Sequence, residues 1–165
     1  MRRPAILAIL ACAVALGACH PAAKPDTNAA DAGAAFLAKK GKEKGVVTLP
    51  DGLEYKILAS GPADGLRPHP NDEIKFHYEL RSIDGKVIQS SFENGAPAEG
   101  ALKNLIPGWV EALQLMRPGD TWELYVPAKL AYGDQDKGDI PPNSTLIFKI
   151  ELIGVLPDAS SVGAG

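Results

Sequence analysis

Cysteine is nearly absent from this chain: 165 residues contain two, Cys12 and Cys19. So few thiols exclude a disulfide framework and a cysteine-based zinc site, and leave the apolar core as the source of stability. Histidine is almost as scarce. His20, His69 and His77 have no metal-ligand spacing with cysteine or carboxylate partners, and they read as solvated side chains. An excess of positive charge is also missing, since 17 Lys and Arg face 20 Asp and Glu for a net charge of −3. That balance removes the electrostatic footprint of a nucleic-acid binder. Ser90-Ser91 has no base at a motif spacing, so no nucleophilic triad is legible. The apolar run Ala5 to Leu16 falls short of the ~20 residues that a bilayer-spanning helix needs.

That run has a different use. Arg2 and Arg3 precede it as a positive segment, and it ends in Leu16-Gly17-Ala18-Cys19. Positive start, short apolar stretch and small residues before the end mark residues 1–18 as a targeting segment outside the fold. The last four residues resemble a bacterial lipobox. This resemblance implies cleavage before Cys19 and a lipid on its thiol, placing the protein in the cell envelope, lipid-anchored and facing the periplasm. His20 stands where aspartate often marks inner-membrane retention, which points to the outer membrane.

Residues 19–45 read as a tether. Positions 20–34 are rich in Ala, Pro, Asp and Asn without apolar periodicity, and Ala29 to Lys44 allows a short helix weakened by Gly41 and Gly45. From residue 46 to 157 the texture becomes short alternating runs broken by turn signals, which indicates an antiparallel sheet. Leu53 to Leu58 is expected as a strand. In Ile74 to Leu80 the residues Ile74, Phe76, Tyr78 and Leu80 share one face. Asp84-Gly85 marks a hairpin into Lys86 to Gln89, and a short strand is expected around Leu102 and Leu105. Pro107 suits the first helical position, and the helix runs on through Trp109, Leu113 and Met116 to a stop at Pro118-Gly119. Thr121 to Val126 and Thr145 to Ile153 complete the strands. The class is α+β, a twisted antiparallel sheet of five to six strands wrapped around one short helix. Residues 158–165 read as a disordered tail. Asn143-Ser144-Thr145 matches a glycosylation sequon, incidental behind a bacterial lipoprotein signal.

Three segments carry the chemistry: Leu105-Ile106-Pro107-Gly108-Trp109, Leu130-Ala131-Tyr132-Gly133, and Ile140-Pro141-Pro142 running on to Phe148. In this order and spacing they resemble the FKBP-type peptidyl-prolyl isomerases, particularly the macrophage-infectivity-potentiator branch. The resemblance implies an FKBP-like fold and cis–trans isomerisation of X–Pro bonds, with no cofactor and no metal. It also implies proline-containing polypeptides as substrates and macrolide inhibitors as ligands. By resemblance the pocket positions are Tyr78, Leu105, Ile106, Trp109, Tyr132, Ile140 and Phe148. The residues support this reading: Tyr78 and Phe148 face inward from different strands, and Trp109 opens the helix as a floor. Tyr132 offers a hydroxyl donor. Ile140 precedes two prolines that lack N–H groups, so its own backbone N–H is a candidate donor.

Two positions depart from the family pattern. Ile88 and Gln89 stand where an aromatic followed by aspartate is usual, and Ala98-Glu99-Gly100 supplies no aromatic where a pocket phenylalanine often lies. They give weight to the alternative, a binding module or chaperone with little turnover. The branch usually carries a long N-terminal dimerisation region, for which the stretch between Cys19 and Val46 is short, so the oligomeric state stays open.

Overall fold

The computed structural model describes residues 27–159. Helix α1 (Thr27–Lys40) leads into strands β1 (Val46–Thr48), β2 (Glu54–Ala59), β3 (Glu73–Ser82), β4 (Val87–Ser90) and β5 (Ala98–Ala101). Helix α2 (Pro107–Leu113) follows, then β6 (Thr121–Val126) and β7 (Leu146–Leu156). The strands form one antiparallel sheet in the order β1-β2-β6-β7-β3-β4, with β5 also paired to β3. This is the expected α+β architecture with seven strands among the described residues. The three-residue β1 is too short to show a period in sequence.

Alternation decides which face each strand buries. Phe76 and Leu80 on β3, Trp122, Leu124 and Val126 on β6, and Leu146, Phe148, Ile150 and Leu152 on β7 form one core with Trp109, Ala112, Leu113 and Met116. The register aligns them, with Leu80 opposite Phe148, Leu124 opposite Phe148, and Tyr78 opposite Ile150.

Two expected elements differ. The strand anticipated around Leu102 and Leu105 is instead β5, ending at Ala101, followed by a 3-10 turn over Leu102–Asn104. The Leu102 N–H donates to Asp72 O at 3.0 Å and the Lys103 N–H to Pro70 O at 2.8 Å, which draws the chain away from β3 and seals Leu102 in the core. Helix α2 ends at Leu113 rather than running to Pro118. Its last turn tightens, with Leu115 N–H on Ala112 O and Met116 N–H on Leu113 O, so Met116 stays buried without being helical. The buried Asp120 carboxylate then takes the N–H groups of Arg117 (2.9 Å) and Gly61 (2.6 Å), fixing this end of the molecule.

The short helix allowed over Ala29 to Lys44 is present as α1, which begins at residue 27 and is docked on the sheet's outer face. Phe36 meets Tyr125 edge-on with ring centroids 5.9 Å apart, and Lys40 lies over the Tyr125 ring at 5.1 Å. At Gly33 an added Cβ would collide with Thr145 Oγ1, so the helix approaches the residue before β7 too closely for a side chain. Tyr125 donates to Glu123 at 2.7 Å, and burial together with this bond raises its phenol well above the usual range. Residues 1–26, including Cys19 and the targeting segment, and residues 160–165 of the expected tail lie outside the described residues.

Outside the core face, Glu111 of α2 shares a hydrogen bond with Asp51 of the turn before β2. That bond, burial and the adjacent charge raise its pKa to about 7. A raised carboxyl stabilises the fold fully below its unfolded value and loses that contribution as pH rises through about 7. Between pH 5 and 8 the wild type should therefore lose a few degrees of melting temperature that Glu111→Gln, neutral throughout, keeps. Parallel thermal melts at the two pH values check this, and equal pH slopes for both proteins would sink it.

Candidate active site

A cavity of about 400 Å³ opens at the N-terminal end of α2. Ile106 holds extended dihedrals (φ −61, ψ 148), as a residue before proline prefers, and Pro107 starts the helix. The Trp109 and Val110 N–H groups both donate to Ile106 O, at 2.9 and 3.1 Å, completing the first turn. Gly108 lets this turn lie against β6. A Cβ there would sit 2.8 Å from Val126 Cγ1 and 3.3 Å from Leu130 O, pushing the helix and its tryptophan outward.

Trp109 is the floor. Three rings stand edge-on to its indole: Phe148 at 5.1 Å, Phe76 at 5.2 Å and Tyr78 at 5.5 Å, with interplanar angles of 72–85°. T-shaped pairs of this kind contribute about 0.5–1.5 kcal/mol each beyond their buried area. The indole Nε1 is buried without a hydrogen-bond partner, so the floor offers a ring and no donor of its own.

Tyr132 closes the opposite side. Its turn is pinned by Gly133 N–H on Ala128 O (2.8 Å) and Asn143 N–H on Gly133 O (2.7 Å), with Gly133 at φ 61. Lys137 Nζ stands 5.8 Å from the Tyr132 ring centroid. Burial, and secondarily Tyr132, raise the Tyr78 phenol above its ordinary pKa, so its hydroxyl remains a donor. On the far side of β3 the backbone of Tyr78 is clamped. Ser91 Oγ accepts the Tyr78 N–H at 2.8 Å, lies 3.2 Å from Tyr78 O and is bonded to His77 Nδ1 at 2.9 Å. His77, read in sequence as solvated, is thus hydrogen-bonded and stacked on Phe92 at 4.7 Å.

Tyr78, Gln89, Leu105, Ile106, Trp109, Tyr132 and Phe148 line this cavity together. Ile88 and Ile140 do not. Ile88 packs against the edge of the core from β4, while Ile140 is 7% exposed and turned into the core. Its carbonyl accepts the Lys137 N–H at 3.1 Å across a turn with Gly138 at φ 75, while its own N–H, the group expected as a donor, makes no backbone hydrogen bond among the described residues. The cavity also takes in Phe76, Leu80, Ala98, Glu99 and Asn104. Phe76 and Leu80 were findable, since they share the period-two face of Tyr78. Where an aromatic wall is usual, Ala98 and Glu99 line the rim, and a Cβ on Gly100 would meet nothing within 4 Å. Among the described residues no three His, Cys, Asp or Glu side chains gather as metal ligands.

Comparison with known proteins agrees with this geometry. The family model of the FKBP-type peptidyl-prolyl cis-trans isomerase matches residues 65–153, and that of the domain amino terminal to it matches residues 18–57. The chain is 50% identical over 122 residues to the peptidyl-prolyl cis-trans isomerase Mip of Coxiella burnetii, covering 73% of this chain and 52% of that protein. It is 48% identical over 124 residues to the outer membrane protein MIP of Legionella longbeachae, covering 74% and 52%. The crystal structure of a peptidyl-prolyl cis-trans isomerase from Pseudomonas syringae matches with a TM-score of 0.74 at 36% identity, over 81% of this chain and 98% of that one. The chain spans about half the length of the curated relatives it matches. A family match over more than half of the residues, on the fold and motifs that build this cavity, means that the chain belongs to the FKBP-type peptidyl-prolyl cis-trans isomerases.

Proposed function

We propose that the protein accelerates cis–trans exchange of X–Pro bonds in polypeptides of the bacterial envelope. The observation that carries this reading is the aromatic cavity itself, with Trp109 as floor and Phe76, Tyr78 and Phe148 standing around it. Rotation about the bond must break amide resonance against a barrier of about 18–20 kcal/mol. The twisted amide separates less charge than the planar one, so a dehydrated apolar site favours it relative to water. Lowering the barrier by about 5–7 kcal/mol corresponds to about 10⁴–10⁵-fold acceleration. A proline ring on Trp109, with Leu105 and Ile106 as walls and the hydroxyls of Tyr132 and Tyr78 as donors, holds the substrate without proton transfer. Macrolide inhibitors would compete for the same floor. One observation favours a second reading, a binding module with little turnover: the rim carries Gln89, Ala98 and Glu99 and no further aromatic. An NMR exchange assay of an X–Pro peptide with the purified protein separates the two. Exchange no faster than the uncatalysed rate at micromolar protein would reject the isomerase reading.

The envelope location rests on the Leu16-Gly17-Ala18-Cys19 box and on a relative named as an outer membrane protein. Among the described residues no helix is long and apolar enough to cross a membrane, and the proposed attachment is through a lipid on Cys19. Cys19→Ala should abolish fatty-acid labelling in cells and leave uncleaved precursor or soluble protein. Wild-type protein free of label in the soluble fraction would sink the anchor.

A further inference from the structure

A second cavity, of about 320 Å³, lies beyond the C-terminal end of α2, where Leu115 and Arg117 meet the end of β2, the loop through Arg67, and Trp122 of β6. Its polar chemistry is unlike that of the first. Arg67 and Arg117 both line it, and neither guanidinium has a carboxylate partner among the described residues, whereas Arg81 is paired with Glu79 and Glu123. The one carboxylate in the lining, Asp120, is committed to the backbone N–H groups of Gly61 and Arg117. Trp122 is 4% exposed, and its indole Nε1 has no hydrogen-bond partner. Tyr55 stacks on it at 4.4 Å with an interplanar angle of 12°, leaving an aromatic wall beside the two cations. Two unpaired guanidiniums next to an apolar aromatic surface suit a carboxylate carried on an apolar group, because the planar fork matches carboxylate geometry.

We propose that this cavity binds a polypeptide C-terminus, with the carboxylate on Arg67 and Arg117 and an apolar last side chain against Tyr55 and Trp122. A membrane surface is the weaker occupant, since Asp120 lies in the same lining and Asp64 in the loop between Ala63 and Arg67, so the two arginines are interspersed with acidic residues. The site is independent of the proline cavity, and it stands whether or not that cavity turns over substrate.

The chain has two tryptophans, one in each cavity, so their indole N–H signals in ¹⁵N NMR report the two sites separately. The probe is a proline-free acetylated pentapeptide ending in Leu-Phe with a free carboxylate, titrated into the whole protein. The Trp122 signal should shift saturably while that of Trp109 stays in place. Amide-capped peptide should bind about tenfold more weakly, as should Arg67→Ala and Arg117→Ala, which is the scale of one charge-assisted hydrogen bond. Arg67 is exposed, so its variant keeps the test available if Arg117→Ala does not fold. An unmoved Trp122 signal at millimolar peptide, equal binding of acid and amide, or a response to phosphatidylglycerol vesicles but not to peptide would overturn the proposal.

Discussion

Trp109→Leu is expected to yield a folded protein that has lost about 10- to 100-fold in kcat/KM, or about 1.4–2.7 kcal/mol of transition-state stabilisation. The indole touches three rings at 5.1–5.5 Å, and it is also core, at 6% exposure. Leucine fills part of the volume but gives Phe76, Tyr78 and Phe148 no ring to stand against, so the floor sags and water enters. Alanine is the harsher change and should cost about 3–5 kcal/mol of stability through the space it leaves. Removing the indole also removes a buried N–H without a partner, which returns part of that loss in either variant. Exchange kinetics and a denaturant melt on each variant separate the two effects. A folded Trp109→Leu protein with undiminished kcat/KM would place the reacting proline elsewhere.

What was legible in the sequence follows from period and from special residues. Tyr78 and Phe148 could be set on inward faces because apolar residues recur at every second position, Ile74, Phe76, Tyr78 and Leu80 on β3 and Leu146, Phe148, Ile150 and Leu152 on β7. Pro107 marks the helix start in sequence, and the contact of Gly108 with Val126 and Leu130 supplies the reason for the glycine that follows it. The inward side chain of Ile140 rests on tertiary packing beside a turn at Gly138 that no local pattern encodes, whereas its backbone N–H was proposed from the two prolines that follow it. The 3-10 turn at Leu102 depends likewise on carbonyls of Pro70 and Asp72, remote in sequence. The docking of α1 leaves little trace in the sequence, since Phe36 and Leu37 are its only large apolar residues and it packs through Phe36 on Tyr125 and Gly33 against Thr145. Unpaired arginines leave no sequence signal at all. Arg67 and Arg117 come together only when the 60s loop folds over the end of α2.

Gln89→Asp should raise kcat/KM by about 3- to 30-fold, equivalent to about 0.7–2 kcal/mol, the worth of one hydrogen bond strengthened by charge. Gln89 sits on β4 opposite Leu80, lines the cavity, and makes no side-chain hydrogen bond among the described residues. Its amide therefore does nothing to orient Tyr78, whose hydroxyl is held by burial and by the clamp on its backbone rather than by a partner of its own. A carboxylate at this position can accept from that hydroxyl, fixing the ring against Trp109 and setting a charge beside the rotating amide. The side chain is exposed, so solvent screens the new charge and folding stability should stay within about 0.5 kcal/mol of wild type. The gain should shrink in Gln89→Asp/Tyr78→Phe, which removes the donor while keeping the ring. If Gln89→Asp instead lowers turnover, with or without Tyr78, the amide belongs to a differently organised pocket and the low-turnover reading loses its main support.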